Sequence, residues 1–266
     1  MIPSTISMDI IPKKSLGQNF LVNRGILGKI FTAAQLDKDD IVLEIGPGTG
    51  ILTQELISKA KRVVTVEKDK RLIGGLKAKF TEVRVVEGDI LKFNPLQYDL
   101  NAGQYKIIGN IPYYLTSHLL RTIFEQWPSP ALMIFMVQKE VAQRILAQPP
   151  HMNLLALSVQ LYSSPKIIAY VSRGSFRPIP KVDSAILQLI PKDTTRNQKL
   201  FDLIRAGFSS KRKILVNNLT EKMGYSRTNL ENTLKALKLP RAIRAEALDI
   251  EDWRKLQETL EKPKDS

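Results

Sequence analysis

From residue 41 onward, short runs of apolar and β-branched residues alternate with longer stretches whose apolar positions recur at helical spacing. Residues 41–45, 62–67, 83–86, 106–109 and 131–137 are short, rich in Val and Ile, and read as strands. Residues 51–59, 70–80, 117–125 and 139–147 read as the helices between them. Such alternation predicts right-handed βαβ units and a mostly parallel sheet covered on both faces. A helical run at 154–162 follows, then strands at 167–171 and 185–190 with no helix between them. The sheet is therefore expected to finish like a hairpin, with at least one antiparallel edge strand. The polar stretch 191–197 closes the strand pattern, and 198–208, 213–222, 228–237 and 250–260 read as helices beyond it. The expected organisation is an α/β domain over 1–191, with 1–11 as a flexible arm, and a small all-helical domain over 192–266.

Charge adds a partner to this picture. Lys and Arg total 40 against 26 Asp and Glu, a formal charge of +14. Before Arg196 the excess is +8 and from there on +6, so it belongs to folded surface in both halves rather than to a tail. An extended polyanion, nucleic acid before membrane, is the partner such a surface suits. With no Cys and two His, His118 and His151, thiolate zinc sites, disulfides and Cys nucleophiles are excluded, and no metal is expected. The first residues lack the basic start and apolar run of a signal peptide, and no apolar stretch approaches the ~20 residues that span a bilayer. A cytoplasmic chain with no membrane partner is expected.

The candidate chemistry sits at strand ends. The first strand runs into Glu44-Ile45-Gly46-Pro47-Gly48-Thr49-Gly50 and directly into a helix. Glycines at alternate positions, Gly46 and Gly48 among them, let backbone lie against a ligand where helix N–H groups point outward. The G-x-G-x-G spacing differs from the dinucleotide fingerprint and suggests a ligand without pyrophosphate. The next strand ends in Glu67, placed to accept from both hydroxyls of a ribose. The third leads to Gly88-Asp89-Ile90, a second carboxylate at the same sheet edge, able to accept from an adenine amine. The fourth ends in Asn110-Ile111-Pro112-Tyr113. An adenine N6 lone pair is delocalised into its ring, so methylating it calls for acceptors that hold its N–H bonds out of conjugation. The Asn110 side-chain oxygen and the carbonyl of Ile111 or Pro112 can do this, Pro112 fixing the turn and Tyr113 stacking on the base.

These motifs, with Lys13 to Leu21 (KKSLGQNFL), Gln138-Lys139-Glu140 and Phe176 to Ser184 (FRPIPKVDS), occur together across most of the chain. As a set the chain resembles the ribosomal RNA adenine N6,N6-dimethyltransferase family of KsgA type, which also includes the erythromycin-resistance methyltransferases and mitochondrial relatives. The resemblance implies a Rossmann-like, seven-stranded α/β methyltransferase sheet with a small helical C-terminal domain, and S-adenosylmethionine as cofactor. It implies that Asn19 and Leu21 close over the cofactor, that Gly46, Gly48, Glu67, Asp89 and Ile90 hold it, and that Asn110 lies between it and the target base. Phe176 is implied as the second aromatic face against the adenine, beside Asn110, Pro112 and Tyr113. The implied substrate is a pair of adjacent adenines near the 3′ end of small-subunit (16S) ribosomal RNA, free or in an assembling subunit, with a role in ribosome biogenesis; with no heptad pattern or long apolar surface helix in the sequence, a monomer is expected. Pro180 to Ala185, Lys211-Arg212-Lys213 before Asn217-Asn218-Leu219, and Arg244-Ala245-Glu246 resemble the ribosome-assembly branch rather than the resistance branch. Arg177, Lys181, Lys211, Arg212 and Lys213 are the expected RNA contacts. Alternatives are a large-subunit adenine methyltransferase of the resistance type and a non-catalytic assembly or transcription factor, against which the intact cofactor loop and Asn-Ile-Pro-Tyr motif speak. One departure is His151-Met152-Asn153, where the family usually has a Tyr-Gly pair.

Overall fold

The computed structural model describes residues 11–13, 16–192 and 197–261. The expected arm over 1–11 lies outside these, Ile11 excepted, as do Lys14, Ser15 and most of the expected polar break. The chain forms two compact units: one holds the chain up to Ala142 together with Ser163–Pro191, the other Gln143–Tyr162 together with the chain from Lys192.

In the first unit the elements in order are β1 (Phe20–Leu21), α1 (Arg24–Ala34), β2 (Ile41–Ile45), α2 (Ile51–Lys59), β3 (Arg62–Glu67), α3 (Lys70–Lys79), β4 (Arg84–Glu87), β5 (Tyr105–Asn110), α4 (Thr116–Gln126) and β6 (Leu132–Gln138). The chain then passes through α5 (Lys139–Ile145) and α6 (Leu154–Tyr162) to β7 (Ser163–Val171), β8 (Phe176–Arg177) and β9 (Ser184–Pro191). Seven strands make one sheet in the order β4-β3-β2-β5-β6-β9-β7, and β1 pairs with β8 in a separate two-residue ladder. The pairings from β4 to β6 are parallel, and both pairings of β9 are antiparallel. The strand running against the rest is thus β9, inserted between β6 and the edge strand β7.

The interior strands are buried because nearly every position is apolar: Val42, Leu43 and Ile45 in β2, Val63, Val64 and Val66 in β3, and Leu132 to Val137 in β6 are all buried. Helix α1, for which no element was predicted, is capped by the Asn23 side chain, which accepts from Gly25 N, and ends at Gln35 in the left-handed region. Its buried residues Ile26, Leu27, Ile30, Ala33 and Ala34 form one stripe that packs against β6, β7 and β9.

The second unit adds α7 (Gln198–Gly207), α8 (Leu215–Met223), α9 (Arg227–Ala236) and α10 (Ile250–Glu261) to α6. Met152, Leu157 and Leu161 share one apolar core with Leu200, Ile204, Leu219, Leu234 and Trp253. Residues 143–162 therefore group with the C-terminal helices, where the sequence reading placed a single boundary near 191. Among the described residues, no helix is long and apolar enough to cross a membrane.

Candidate active site

The strand order reverses between β2 and β5, and at such a switch point the loops leaving the strands part and open a crevice. A cleft lies there in the first unit, lined by Gly46 and Gly48 after β2, Glu67 and Lys68 after β3, Asp89 and Ile90 after β4, Asn110 to Leu115 after β5, and Leu16 to Phe20 from the N-terminal segment. The alternate glycines have a local cause. Gly48 and Gly50 take φ of 58° and 81°, a region side chains avoid. A Cβ at Gly48 would also stand 2.9 Å from the Phe20 ring, and one at Gly50 would run into Phe80.

At one end of the cleft the carboxylates arrive already partnered. Glu67, buried at the tip of β3, accepts from Gly48 N (3.2 Å) and Asp69 N (2.8 Å), which ties the glycine loop to the next strand. Burial raises its pKa, against these hydrogen bonds. Asp89 accepts from Lys68 Nζ at 2.8 Å and from Leu91 N at 3.1 Å, and the lysine holds its carboxyl below the usual range. Asp69 accepts from Arg71 and from Gln18 Nε2 at 2.8 Å, so the N-terminal segment is pinned to the end of β3; the arginine depresses its pKa strongly. Beneath the loop, Glu44 is fully buried and accepts from Thr53 Oγ1 at 2.7 Å. Burial pushes its pKa up to about 8, so this carboxyl is a neutral acid at pH 7.

The other end is less committed. Asn110 Nδ2 donates to the backbone carbonyl of Asn19 at 2.9 Å, which fixes the amide plane and leaves Oδ1 as its acceptor. Ile111 N donates to Met136 O, and Pro112 O accepts from Leu115 N, closing a tight turn. The Tyr113 hydroxyl lies 2.8 Å from Ser184 Oγ, and burial raises its pKa.

Of the residues singled out from sequence, Asn19, Gly46, Gly48, Glu67, Asp89, Ile90, Asn110, Pro112 and Tyr113 line this one cleft. Leu21 and Phe176 do not. They are register partners across β1 and β8, are 3% and 0% exposed, and belong to the core. Strand alternation is the reason: Phe20 faces the cleft, so Leu21 faces away. Arg177, the last residue of β8, and Lys181, on the loop after it, are exposed, the Arg177 guanidinium donating to Gly174 O and Phe176 O. Lys211 and Arg212 are exposed, whereas Lys213 is engaged by Glu221 at 2.5 Å. Sequence reasoning assigned no role to Gln18, Phe20, Lys68, Asp69 or Tyr114, all close to a motif and two of them next to Glu67. The available signal was adjacency to a strand end.

A family model described as "Ribosomal RNA adenine dimethylase" matches residues 12–262. A "Ribosomal RNA small subunit methyltransferase A" of Dehalococcoides mccartyi is 41% identical over 252 residues, covering 92% of this chain and 87% of that protein. The protein of the same description from Streptococcus agalactiae is 40% identical, covering 93% and 91%. Among solved structures, a dimethyladenosine transferase from Plasmodium falciparum superposes with a TM-score of 0.74 at 32% identity, covering 89% of this chain and 95% of that one. The 23S rRNA methyltransferase ErmE gives 0.74 at 27% identity, covering 92% and 100%. The strand-end cleft, the motif order and these likenesses agree, and the chain belongs to the ribosomal RNA adenine dimethylase family.

Proposed function

We propose that the protein transfers methyl groups from S-adenosylmethionine to N6 of two adjacent adenines near the 3′ end of small-subunit ribosomal RNA, acting as a monomer in the cytoplasm during subunit biogenesis. The observation that carries this reading is the Asn110 amide. Its nitrogen is tethered to Asn19 O, so its oxygen is presented as an acceptor at the end of a cleft whose other end holds two carboxylates one strand apart.

The residues suit the cofactor. Asp89, ionised and oriented by Lys68, can accept from an adenine amine, and Glu67 keeps acceptor capacity for ribose hydroxyls beyond its two backbone bonds. The glycine loop removes side chains where a small ligand must lie close. When bound, S-adenosylmethionine supplies an electrophilic methyl group on a sulfonium. The chain's part is alignment. Asn110 Oδ1 and the carbonyl of Ile111 or Pro112 accept the two N–H bonds of the target amine, drawing its lone pair out of ring conjugation and along the line of transfer. Tyr113, its hydroxyl anchored on Ser184, offers a ring to the extruded base. No strong base is needed, because the N–H proton becomes acidic only as the new N–C bond forms, and it then leaves to water. Phe176 sustains this geometry from the core, pairing with β1 and so holding the segment that carries Asn19. Lys211 and Arg212 contact RNA phosphates.

The test is tritiated methyl transfer to undermethylated small subunits, with large subunits in parallel and the RNA digested to nucleosides. Dimethyladenosine in small-subunit RNA is expected, with Asn110→Ala lowering kcat by roughly 10²–10³. Label in large-subunit RNA alone overturns the substrate, and no transfer with cofactor bound overturns the reaction.

A further inference from the structure

The Gln138-Lys139-Glu140 motif has no part in the cleft chemistry, yet it opens onto an unusual rim of the first unit. Lys139 N donates to Asp183 O at 3.0 Å, which sets the start of α5 beside the loop joining β8 to β9. The Lys139 ammonium lies over the ring of Tyr170, 5.0 Å from its centroid. Tyr170, the penultimate residue of the edge strand β7, is 51% exposed. A half-exposed ring beneath a cation keeps area free for a stacking partner.

The surroundings share this character. On the same loop Ile179 and Val182 are 57% and 41% exposed, and Arg173, Arg177 and Lys181 are exposed with them. None of Lys139, Arg173, Arg177 and Lys181 forms an ion pair among the described residues. Two exposed carboxylates, Glu140 and Asp183, stand against these four cations, and the Asp183 side chain accepts from Arg173 N. An exposed ring and apolar side chains interleaved with uncompensated cations complement a single-stranded polyanion with stacking faces. The rim is at the same end of the sheet as the cleft. Tyr170 pairs with Ala185, and the next residue of β9, Ser184, holds the Tyr113 hydroxyl from the other face of the sheet. Tyr170 thus stands about one strand spacing, ~5 Å, from the strand that anchors the residue proposed to face the target base.

We propose that Tyr170, capped by Lys139, is a stacking ledge for an unpaired nucleotide next to the target adenine, and that Arg173, Arg177 and Lys181 follow that strand's phosphates. This rests on the reading of the chain as an RNA adenine methyltransferase. A base on the ledge would hold the neighbour of the extruded adenine outside a helix, so the second of two adjacent adenines would be kept unstacked while the first reacts.

Tyr170→Trp supplies the reporter, because Trp127 and Trp253 are 3% and 0% exposed and give a constant background. Titration with a single-stranded RNA oligonucleotide carrying two adjacent adenines is expected to quench the new indole saturably; no quenching overturns the ledge. In the transfer assay, Tyr170→Ala is expected to raise KM for RNA about tenfold, with kcat and cofactor Kd unchanged and Tyr170→Trp near wild type. Lys139→Gln is expected to raise KM severalfold. An unchanged KM for folded Tyr170→Ala, or a loss confined to kcat, overturns the ledge. Quenching needs no turnover: quenching without methylation by the wild type would keep Tyr170 as an RNA-stacking face but overturn its place beside a target adenine together with the methyl-transfer reading, and methylation without quenching would overturn the ledge alone.

Discussion

The two ends of the cleft are built differently. At the Glu67 and Asp89 end each carboxylate already has at least two partners, from backbone N–H groups, Lys68, Arg71 or Gln18. At the Asn110 end the amide's own tether, to Asn19 O, leaves its oxygen uncommitted, and the rim carries exposed cations that form no ion pair among the described residues. A small ligand that must be bound on every turnover gains affinity from groups ordered in advance, since little is lost on binding. A large polyanion gains most from exposed charge and stacking faces, which a solvated rim keeps available. The second unit shows a third state: Arg227, Arg241, Arg244 and Arg254 are each within 4.0 Å of a carboxylate, while Lys211 and Arg212 are exposed and form no ion pair among the described residues.

The sharpest way to break this comparison is at Glu67. Glu67→Ala removes the acceptor for Gly48 N and Asp69 N together with the proposed ribose contact, and cofactor affinity measured by calorimetry should fall roughly 100-fold, about 2.8 kcal/mol. With saturating cofactor, KM for RNA should hardly move. A comparable loss in RNA affinity would mean that the two ends are not separately built.

A different readout, stability against pH, tests Glu44, the buried acid under the same end. The unfolded chain ionises this carboxyl near 4.5 and the folded chain near 8. Its contribution is complete below the lower value and fades as pH rises through the upper one, because the unfolded state loses its proton first. Glu44→Gln cannot ionise, so its Tm relative to wild type should climb between about pH 5 and 8. Parallel Tm curves would show that Glu44 does not titrate there. Asp89, whose pKa is lowered by Lys68, has the opposite sign and should lose stability only in acid.

The smallest effect separates the cations of the second unit. Lys211→Ala should weaken RNA binding a fewfold and lower the slope of log K against log salt by about 1, while Lys213→Ala, engaged by Glu221, should change the slope by much less. Equal slopes would remove the distinction between paired and unpaired cations.

Legibility in the sequence followed locality. The sheet strands could be read because parallel interior strands are continuous apolar runs, and Glu67, Asp89 and Asn110 because each stands where such a run stops. Helix α1 was missed since Gly25 and Gly28 interrupt its pattern, although its Asn23 cap was in plain view. The ladder of β1 with β8 joins two-residue strands more than 150 positions apart, too short for any periodicity to register. The buried Phe176 followed from that pairing, and the Gln18 to Asp69 bond from the same return of the N-terminal segment onto β3.

The sequence by itself determined an α/β sheet with nucleoside-binding chemistry at its strand ends, a helical C-terminal part, and a net positive charge, because hydrophobic period, strand-terminal motifs and composition are local properties. Only the tertiary structure decided that β9 enters between β6 and β7, that residues 143–162 join the C-terminal helices, that Asn19 orients Asn110, and which cations stay unpaired. Each of these depends on which distant segments meet, and such contacts are selected by the shared burial of apolar faces, which no single stretch of chain encodes.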